Sequence, residues 1–425
     1  MDKTSALAGL VLAALVAGAA PSRADSSAPL TLPDCVRLAM RKAPEARQAG
    51  LERESARAAL DSARGALLPQ LTGQASYLNS TDPNNQLPNT SQINFAVLQL
   101  DQNLNPFSPQ WARHGEKARE LDAASFRLEQ ARASAALAAR QAYFAVLDDQ
   151  DALTAMGRVK QRLETLLEMV PPRYVPGLSL PLDSIQVKSA LLDLSDQTRQ
   201  ARASLRADQD RLQLLLGATP GEAPSLSPLT TLPALPDPQG GSLELNPGLR
   251  ALQSDVQAGQ ARLDGTEAQR LPSLSLEADV GPAGLTADSM DPGWGAGVTA
   301  SLPIFAWGCI SAQVRQSRTD LEILRQQAGS FKNLLQAQWS ETLQKAGQDR
   351  RAEVERQAFL PLAAQAVEAA VERYRRGAAG ITLVNDTIQS WLRNQVSERQ
   401  DYYSYLSDLA QLQALSGDKL EVNYE

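Results

Sequence analysis

Histidine and cysteine, two residue types common in metal sites and in nucleophilic catalysis, are almost absent from this chain of 425 residues. His114 is the only histidine, and Cys35 and Cys309 are the only cysteines. One histidine is too few for a metal site built from several histidines, and two distant cysteines form no disulfide framework. No glycine-rich phosphate loop precedes a helix either. The sequence therefore predicts no enzyme, no cofactor and no metal site, and it predicts that both cysteines stay unpaired.

Long apolar runs are missing beyond the first two dozen residues. Lys3 precedes an uninterrupted apolar run from Leu7 to Ala20, and Ser22 and Ala24 are small residues that suit a cleavage site after Ala24. The run is too short to span a bilayer comfortably, so residues 1–24 are predicted to be a secretory signal peptide. No cysteine follows directly, which gives no indication of a lipid anchor.

The chain has an excess of acidic side chains, 48 against 41 basic ones, with a formal net charge of −7 at pH 7. Removal of the signal peptide would take away two basic residues and one acidic residue, which increases the negative charge. An acidic chain of this kind argues against nucleic acid as a partner.

The main pattern in the remaining sequence is one long apolar stripe. From Leu121 to Val170, residues at alternating steps of three and four are apolar, and Asp149 is the single exception. This spacing keeps one side of a helix against a partner helix, as in a coiled coil. Roughly fifty helical residues would extend ~75 Å. An ordinary amphipathic helix of a large bundle is the alternative, but the length of the stripe favours a coiled coil.

Before and after this helix, the first half of the sequence predicts further helices and two strands. In order, these are helical sequence from Leu32 to Leu68, a strand from Leu71 to Tyr77, a loop over 79–91, a strand with Ile93, Phe95 and Val97 on its apolar face, the long helix, and a helix from about Leu182 to Leu216.

The pattern then starts again, which indicates an internal repeat. The matching pairs are Ala43-Pro44 with Asn246-Pro247, Leu68-Pro69-Gln70-Leu71 with Leu271-Pro272-Ser273-Leu274, and Arg173-Tyr174-x-x-Gly177 with Arg373-Tyr374-x-x-Gly377. The chain is therefore predicted to consist of a first repeat over 25–216, a connector rich in proline and glycine over 217–245, a second repeat over 246–416 and a C-terminal tail over 417–425.

In the second repeat the strands alternate more regularly. One face carries Leu274, Leu276, Ala278 and Val280 with Val298, Ala300 and Leu302, and the other carries Ser275, Glu277 and Thr299. The second long helix loses the stripe between Gln338 and Asp349, where Trp339, Leu343 and Ala346 predict a shifted face. Pro361 is expected to kink that helix.

Four strands that are apolar on one face cannot bury that face alone. Sheets that span a membrane must be closed, and bacterial barrels need at least eight strands. The strands therefore either cover a layer of helices or combine with strands of other copies. Because the helices are too long to fold back onto a short sheet, we expect a shared barrel that the helices continue as a tube.

The ordered set of motifs resembles the TolC-like outer-membrane efflux family over essentially all of the mature chain. The motifs that carry the resemblance are Leu30-Thr31-Leu32 with Val36-x-x-Ala39, both Leu-Pro-x-Leu strand starts, Leu302-Pro303-Ile304-Phe305, and both Arg-Tyr-x-x-Gly turns.

The resemblance implies a homotrimer in the outer membrane with a large periplasmic portion. Three chains would share a twelve-stranded barrel in contact with lipid. An α-helical coiled-coil tunnel would continue the barrel, and the connector would surround this tunnel near its middle. Such proteins are passive exit ducts of efflux pumps and type I secretion systems. They dock onto a periplasmic adaptor and, through it, an inner-membrane transporter.

The resemblance also implies functional residues at the two Arg-Tyr-x-x-Gly turns, for narrowing the pore and for docking the adaptor. In the second turn, the family tends to place Asp at the sixth and ninth positions after the glycine, where they narrow the tunnel entrance. This chain has Leu383 and Asp386 there, and Asp183 holds the sixth position of the first turn. The adaptor-docking candidates are Gly177, Leu178, Ser179 and Gly377. A solvated residue at a helix start is the alternative for Asp386.

A second hypothesis is a soluble periplasmic coiled-coil scaffold whose strands pair within a soluble domain, without a membrane barrel. Heat-modified, trimeric migration from outer-membrane fractions would separate it from the duct.

Overall fold

The computed structural model describes residues 29–78, 93–105, 108–170, 181–218, 221, 224–236, 243–283, 291–417 and 424. The first repeat comprises α1 Leu32–Lys42, α2 Pro44–Gly65, β1 Gln70–Leu78, β2 Ile93–Asn103, α3 Pro109–Met169 and α4 Pro181–Leu215. The second comprises α5 Pro247–Glu267, β3 Ser273–Ala283, β4 Asp291–Ser301, α6 Cys309–Arg375 and α7 Ile381–Leu415. The predicted signal peptide lies outside the described residues and stays a prediction.

The helical sequence before the first strand is broken at one position, where an uninterrupted helix was expected. Ala43 has a ψ of 135°, and α2 begins anew at Pro44. A residue before proline is pushed out of the helical region by the proline ring, which explains the break. The matching residue Asn246 has a ψ of 124° before Pro247, and its side chain caps α5 by accepting from the Leu249 N–H at 3.2 Å.

The four strands form one antiparallel sheet in the order β1-β2-β3-β4. Residues directly opposite each other lie on the same face of a sheet. The register places apolar residues opposite one another on one face, in the pairs Leu71–Leu100, Leu98–Val280, Leu100–Ala278, Leu276–Val298 and Leu274–Ala300. The predicted apolar faces of β3 and β4 therefore join into one apolar surface.

The predicted apolar face of β2 is wrong. Val97 lies opposite Gln74, on the face that carries Gln99 and Asp101, whereas Leu98 and Leu100 lie on the apolar face. The strand has apolar residues on both faces, so alternation alone could not identify the face that meets β3. The side chains of Ile93 and Phe95 lie outside the described part.

No helix layer covers the described part of this sheet, whose strands pack extensively only on one another. Leu71, Trp294 and Val298 are exposed on it. This arrangement argues against the alternative in which the strands cover helices.

The two longest helices, α3 and α6, have 61 and 67 residues. In the half of the molecule nearest the sheet, α3 packs between α2 and α5, and α5 packs on α6. In the far half, α3 packs between α4 and α7, and α7 packs on α6. No position of the predicted stripe on α3 is exposed. None of the described helices has an apolar stretch long enough to cross a membrane.

On α6 the predicted shift of the apolar face is confirmed, because Trp339 and Ala346 are buried. The helix is continuous across Pro361, which is exposed, and the expected kink there stays a prediction.

Residues 224–236 of the connector cross the middle of the helices and are held there by tyrosines. Leu30 pairs with Leu226 in a parallel bridge. Three buried tyrosines donate to connector carbonyl oxygens, Tyr143 to Ser227 at 2.6 Å, Tyr402 to Thr231 at 2.9 Å and Tyr405 to Pro233 at 2.8 Å. Burial raises the pKa of Tyr402 to about 12, so its hydroxyl remains a donor at neutral pH.

Both cysteines are free, as expected from the sequence. Cys35 is buried at the start of the helices, and Cys309 is exposed at the first residue of α6. Burial raises the pKa of the Cys35 thiol to about 11, which keeps it protonated.

Candidate functional site

Four helix ends meet at the end of the molecule farthest from the sheet. Because α3 starts just after β2 and has 61 residues, its C-terminus lies about 90 Å from its start. There, the C-terminal ends of α3 and α6 pack with the N-terminal ends of α4 and α7. We call this end the tip.

Gly377 ends α6 at the tip. Its φ is +73°, a left-handed conformation that glycine adopts without steric cost. The Gly377 N–H donates to the Tyr374 carbonyl at 2.9 Å, and the Ala378 N–H donates to the Arg373 carbonyl at 2.8 Å. These two bonds form a Schellman motif, which stops the helix sharply before α7 begins. The sequence placed this glycine correctly as a turn residue.

The tip is held by an apolar core to which all four helices contribute. Its fully buried members include Leu163 and Leu166 of α3, Leu194 of α4, Val367 of α6, and Val384 and Ile388 of α7. The four helix ends therefore form a packed bundle within a single chain.

Polar contacts between the two repeats surround this core. The Tyr374 hydroxyl donates to Asp183 Oδ2 at 3.1 Å, joining the last turn of α6 to the first turn of α4. Thr382 donates to Gln186 Oε1 at 3.3 Å. Arg162 of α3 pairs with Glu368 of α6. Asp183, predicted as a constriction residue, therefore lies in a contact that closes the tip within the chain.

Leu383 and Asp386 lie together on the outer side of α7. Ile381, Val384 and Ile388 point into the tip core, and both candidates are exposed one turn apart on the opposite side. Asp386 makes no hydrogen bond or ion pair with any residue of the described chain. Its carboxylate is thus free to face a pore or a solvent-filled space.

Three predicted docking residues, Gly177, Leu178 and Ser179, lie outside the described residues, as does the first Arg-Tyr-x-x-Gly turn. Their assignment stays a prediction. Of the four docking candidates, the structure describes Gly377 alone.

Half-buried carboxylates near the middle of the helices were not predicted as a group. Asp149, the one polar residue of the stripe, lies beside Ser204 and Asp208 of α4. Burial raises the pKa of Asp149. The neighbouring Asp148 has its pKa raised to about 7, chiefly by burial and then by the charges of Asp149 and Asp151. The polar break in the stripe was the signal that could have located this cluster.

A second buried pair lies between α6 and α7. Glu353 and Glu398 are each 3% exposed. Burial raises the pKa of both carboxyl groups. The positive charge of the nearby Arg399 acts in the opposite direction and lowers both pKa values. Glu398 contacts Arg399 at 3.2 Å.

The family model described as outer membrane efflux protein matches residues 36–218 and 241–418 of this sequence. These two segments correspond to the two structural repeats and leave out part of the connector. The chain belongs to the outer membrane efflux protein family.

Two curated relatives extend this assignment. This outer membrane efflux protein is 29% identical over 274 residues to the fusaric acid resistance protein FusA of Burkholderia cepacia, covering 59% of this chain and 51% of FusA. It is 26% identical over 295 residues to the outer membrane protein TolC of Escherichia coli, covering 65% of this chain and 59% of TolC. The chain thus spans little more than half the length of the curated relatives it matches.

The fold of this outer membrane efflux protein resembles the outer membrane channel CmeC of Campylobacter jejuni. The TM-score is 0.80 at 19% identity, with 92% of this chain and 86% of CmeC covered. The predicted fold class is therefore confirmed, with four antiparallel strands continued by long α-helices. The family consists of channel proteins rather than enzymes, and it places the chain in the outer membrane with a large periplasmic portion.

Proposed function

We propose that this chain is the outer-membrane exit duct of a tripartite efflux pump or a type I secretion system. It acts as a passive channel without chemistry of its own, as a homotrimer, and docking of a periplasmic adaptor opens it. The adaptor links it to an inner-membrane transporter. The observation that carries the proposal is that one chain forms a layer with open edges, both in the sheet and along the helices as far as the tip.

The open edges run from the sheet along the helices and end at the tip core. In the described sheet, β1 and β4 are edge strands. Nearest the sheet, the outermost helices are α2 and α6, and between the middle of the helices and the tip they are α4 and α6. A layer with two complementary edges closes into a ring when copies associate head to tail. Three copies supply twelve strands, enough for a bacterial barrel.

Exposed apolar side chains lie on these outer helices. They are Leu51 on α2, Ile185, Leu192 and Leu214 on α4, and Ile323, Leu334, Phe359 and Leu362 on α6. Large exposed apolar residues on a helix that ends a layer favour burial against another copy. Their position supports closure of the helices into a tube below the barrel.

The part of the channel that opens and closes lies at the tip. The bond from Tyr374 to Asp183 ties α6 to α4, and the tip core holds all four helix ends together. We assign the acidic ring of the pore to Asp386 and an apolar collar to Leu383, because both are exposed on one side of α7. Opening requires the helix ends to separate, which breaks the contact between Tyr374 and Asp183.

The first experiment tests the assembly. Outer-membrane fractions should contain a trimer that migrates as such without heating and as a monomer after heating. Single-channel recordings of the purified trimer in planar bilayers should show ion conduction. Recovery of the protein as a soluble periplasmic monomer would contradict the proposal and support the coiled-coil scaffold.

The second experiment tests docking. Leu178→Asp, at the predicted adaptor contact, should abolish export while the trimer and its conductance persist. Leu51→Asp, on the outermost helix near the sheet, should instead reduce the trimer itself. If Leu178→Asp prevents assembly, Leu178 is a packing residue and the docking assignment is wrong.

A further inference from the structure

Four arginines surround a surface pocket of about 490 Å³ near the middle of the helices. Arg37 and Arg41 belong to α1, Arg47 belongs to α2 and Arg132 belongs to α3. No acidic side chain is among the described residues that line this pocket. We call it the arginine pocket. Such a concentration of positive charge stands out in a chain with a net charge of −7.

The arginine pocket forms at the helix break before Pro44. The proline ring pushes Ala43 out of the helical region, so α1 ends there and α2 begins in a new direction. The last two turns of α1 and the first turn of α2 then bring their arginines to one corner beside α3. The same local sequence that breaks the helix therefore gathers the charges.

Most of these guanidinium groups have no partner in the described chain. Arg37 pairs with Asp34 at 3.1 Å. Arg41, Arg47 and Arg132 are exposed, and none of them makes a hydrogen bond or an ion pair with a described residue. Arg41 lies in the last turn of α1, where a positive charge is favourable. Arg47 is the fourth residue of α2, near the positive end of that helix, where a positive charge is unfavourable.

The corresponding place in the second repeat is satisfied within the chain. Asn246 caps α5 with its side chain, and Arg250, at the position of Arg47, lies over the Phe126 ring with 4.3 Å between the guanidinium carbon and the ring centroid. In the first repeat, Ala43 gives α2 no side-chain cap. Uncapped N–H groups of a first turn and free guanidinium groups both favour an anion. The difference between the repeats therefore points to an anionic ligand from outside the chain.

The arginine pocket lies well below the sheet and on the outer side of the proposed tube. Arg132 comes 23 residues after Pro109, the first residue of α3, which is roughly 35 Å along the helix. α1 packs on α3, and the connector lies beside α1 because Leu30 pairs with Leu226. A second layer inside the tube would obstruct the duct, so this layer faces the periplasm. Phospholipid headgroups at the foot of the barrel do not reach this depth.

We propose that the arginine pocket binds carboxylates of the peptides of the peptidoglycan wall. The planar guanidinium group matches the geometry of a carboxylate, and each wall peptide carries several carboxylates. A trimer presents three such pockets to one cross-linked network, so several weak contacts combine into one stronger attachment. This inference rests on the proposed duct and adds a partner other than the adaptor and the transporter.

Sedimentation with isolated peptidoglycan sacculi tests the contact. The heat-stable trimer, purified in detergent, should sediment with sacculi at low salt. Arg41→Glu combined with Arg132→Glu should weaken this binding about tenfold or more, because charge-assisted pairs are lost. Arg158→Glu combined with Arg393→Glu makes the same charge change at exposed arginines of α3 and α7 and should sediment like the parent. If the glutamate variant yields no trimer, Arg41→Gln combined with Arg132→Gln removes the charges without reversing them and should show the same loss.

Modified sacculi and phospholipid vesicles test the chemistry of the ligand. Sacculi whose carboxylates have been converted to neutral amides should no longer retain the parent trimer. Equal retention by these sacculi, or equal retention of the pocket variants, would overturn the proposal. Pocket-dependent binding to vesicles of anionic phospholipid but not to sacculi would show that the ligand is a lipid phosphate, which also overturns it.

Failure of the wall contact and failure of the duct give different results. Conductance in planar bilayers and the heat-stable trimer are measured on the same preparation that is mixed with sacculi. A conducting trimer that does not sediment with sacculi refutes the wall contact alone. A soluble monomer without conductance refutes the duct, and with it the outward position of the arginine pocket.

Discussion

The Tyr374 hydroxyl donates to the Asp183 carboxylate at 3.1 Å, although the two residues belong to different repeats. Tyr374 is the tyrosine of the second Arg-Tyr-x-x-Gly turn, and Asp183 follows the first. The contact therefore joins the two turns of the tip. Asp183 also lies in the first helical turn of α4, where a negative charge is favourable for the helix.

Removal of this bond should open the tip more often. A hydrogen bond to a charged group contributes ~1.5–3 kcal/mol, so Tyr374→Phe should raise the open probability about tenfold or more in single-channel recordings. Tyr403→Phe is a matched control, since Tyr403 donates to Asp151 at 2.9 Å near the middle of the helices. That variant should leave gating unchanged. The double variant Asp183→Asn with Tyr374→Phe should have an open probability close to that of either single variant. If the effects of the two changes on the free energy of opening add fully, the two residues act independently.

Asp386 should control cation block at the periplasmic entrance. Three like carboxylates close to the pore axis attract cations, so Asp386→Asn should weaken block by divalent cations added from the periplasmic side. Leu383→Asp should strengthen the block by adding a second ring. Asp61→Asn makes the same charge change near the sheet end of α2 and should have no effect. Unchanged block in Asp386→Asn would place the residue away from the pore.

The two faces of β3 should respond differently to arginine. Leu276 lies on the apolar face opposite Val298, and Ser275 lies on the other face opposite Thr299. Leu276→Arg should cost assembly ~2–4 kcal/mol if it lies mid-bilayer, whereas Ser275→Arg should be tolerated. The yield of heat-stable trimer from outer-membrane fractions measures the effect of both substitutions on assembly. Equal tolerance would show that this sheet does not contact lipid.

Asp148 should make stability depend on pH. Its folded-state pKa is raised to about 7 from a normal value of 3.8. The folded chain therefore holds this proton more tightly than the unfolded chain, and the unfolding free energy should fall as pH rises from about 4 to about 7. The effect is at most ~4 kcal/mol per chain. Thermal unfolding in detergent at pH 5 and pH 8 should show a smaller difference for Asp148→Asn than for the parent. Asp122→Asn, in an exposed pair with Arg119 on the same helix, should retain the parent's difference.

The repeat, the long helices and the turn at Gly377 could be predicted because each depends on local sequence. The spacing of the stripe on α3 requires a partner along one side, and none of its positions is exposed. The helix break at Ala43 was missed, although its cause, the proline at 44, is equally local. The shared motif with Asn246-Pro247 had already marked that position.

The sequence by itself determined which segments form helices and strands and which faces of β3 and β4 are apolar, because these depend on residues near one another in the chain. Tertiary structure decided the apolar face of β2, since Leu98 and Val97 are equally apolar and only the register with β3 selects one. It also decided that Asp183 meets Tyr374 and that Asp151 meets Tyr403. Such pairs form because packed helices bring distant residues within hydrogen-bonding distance, and no local pattern encodes that distance.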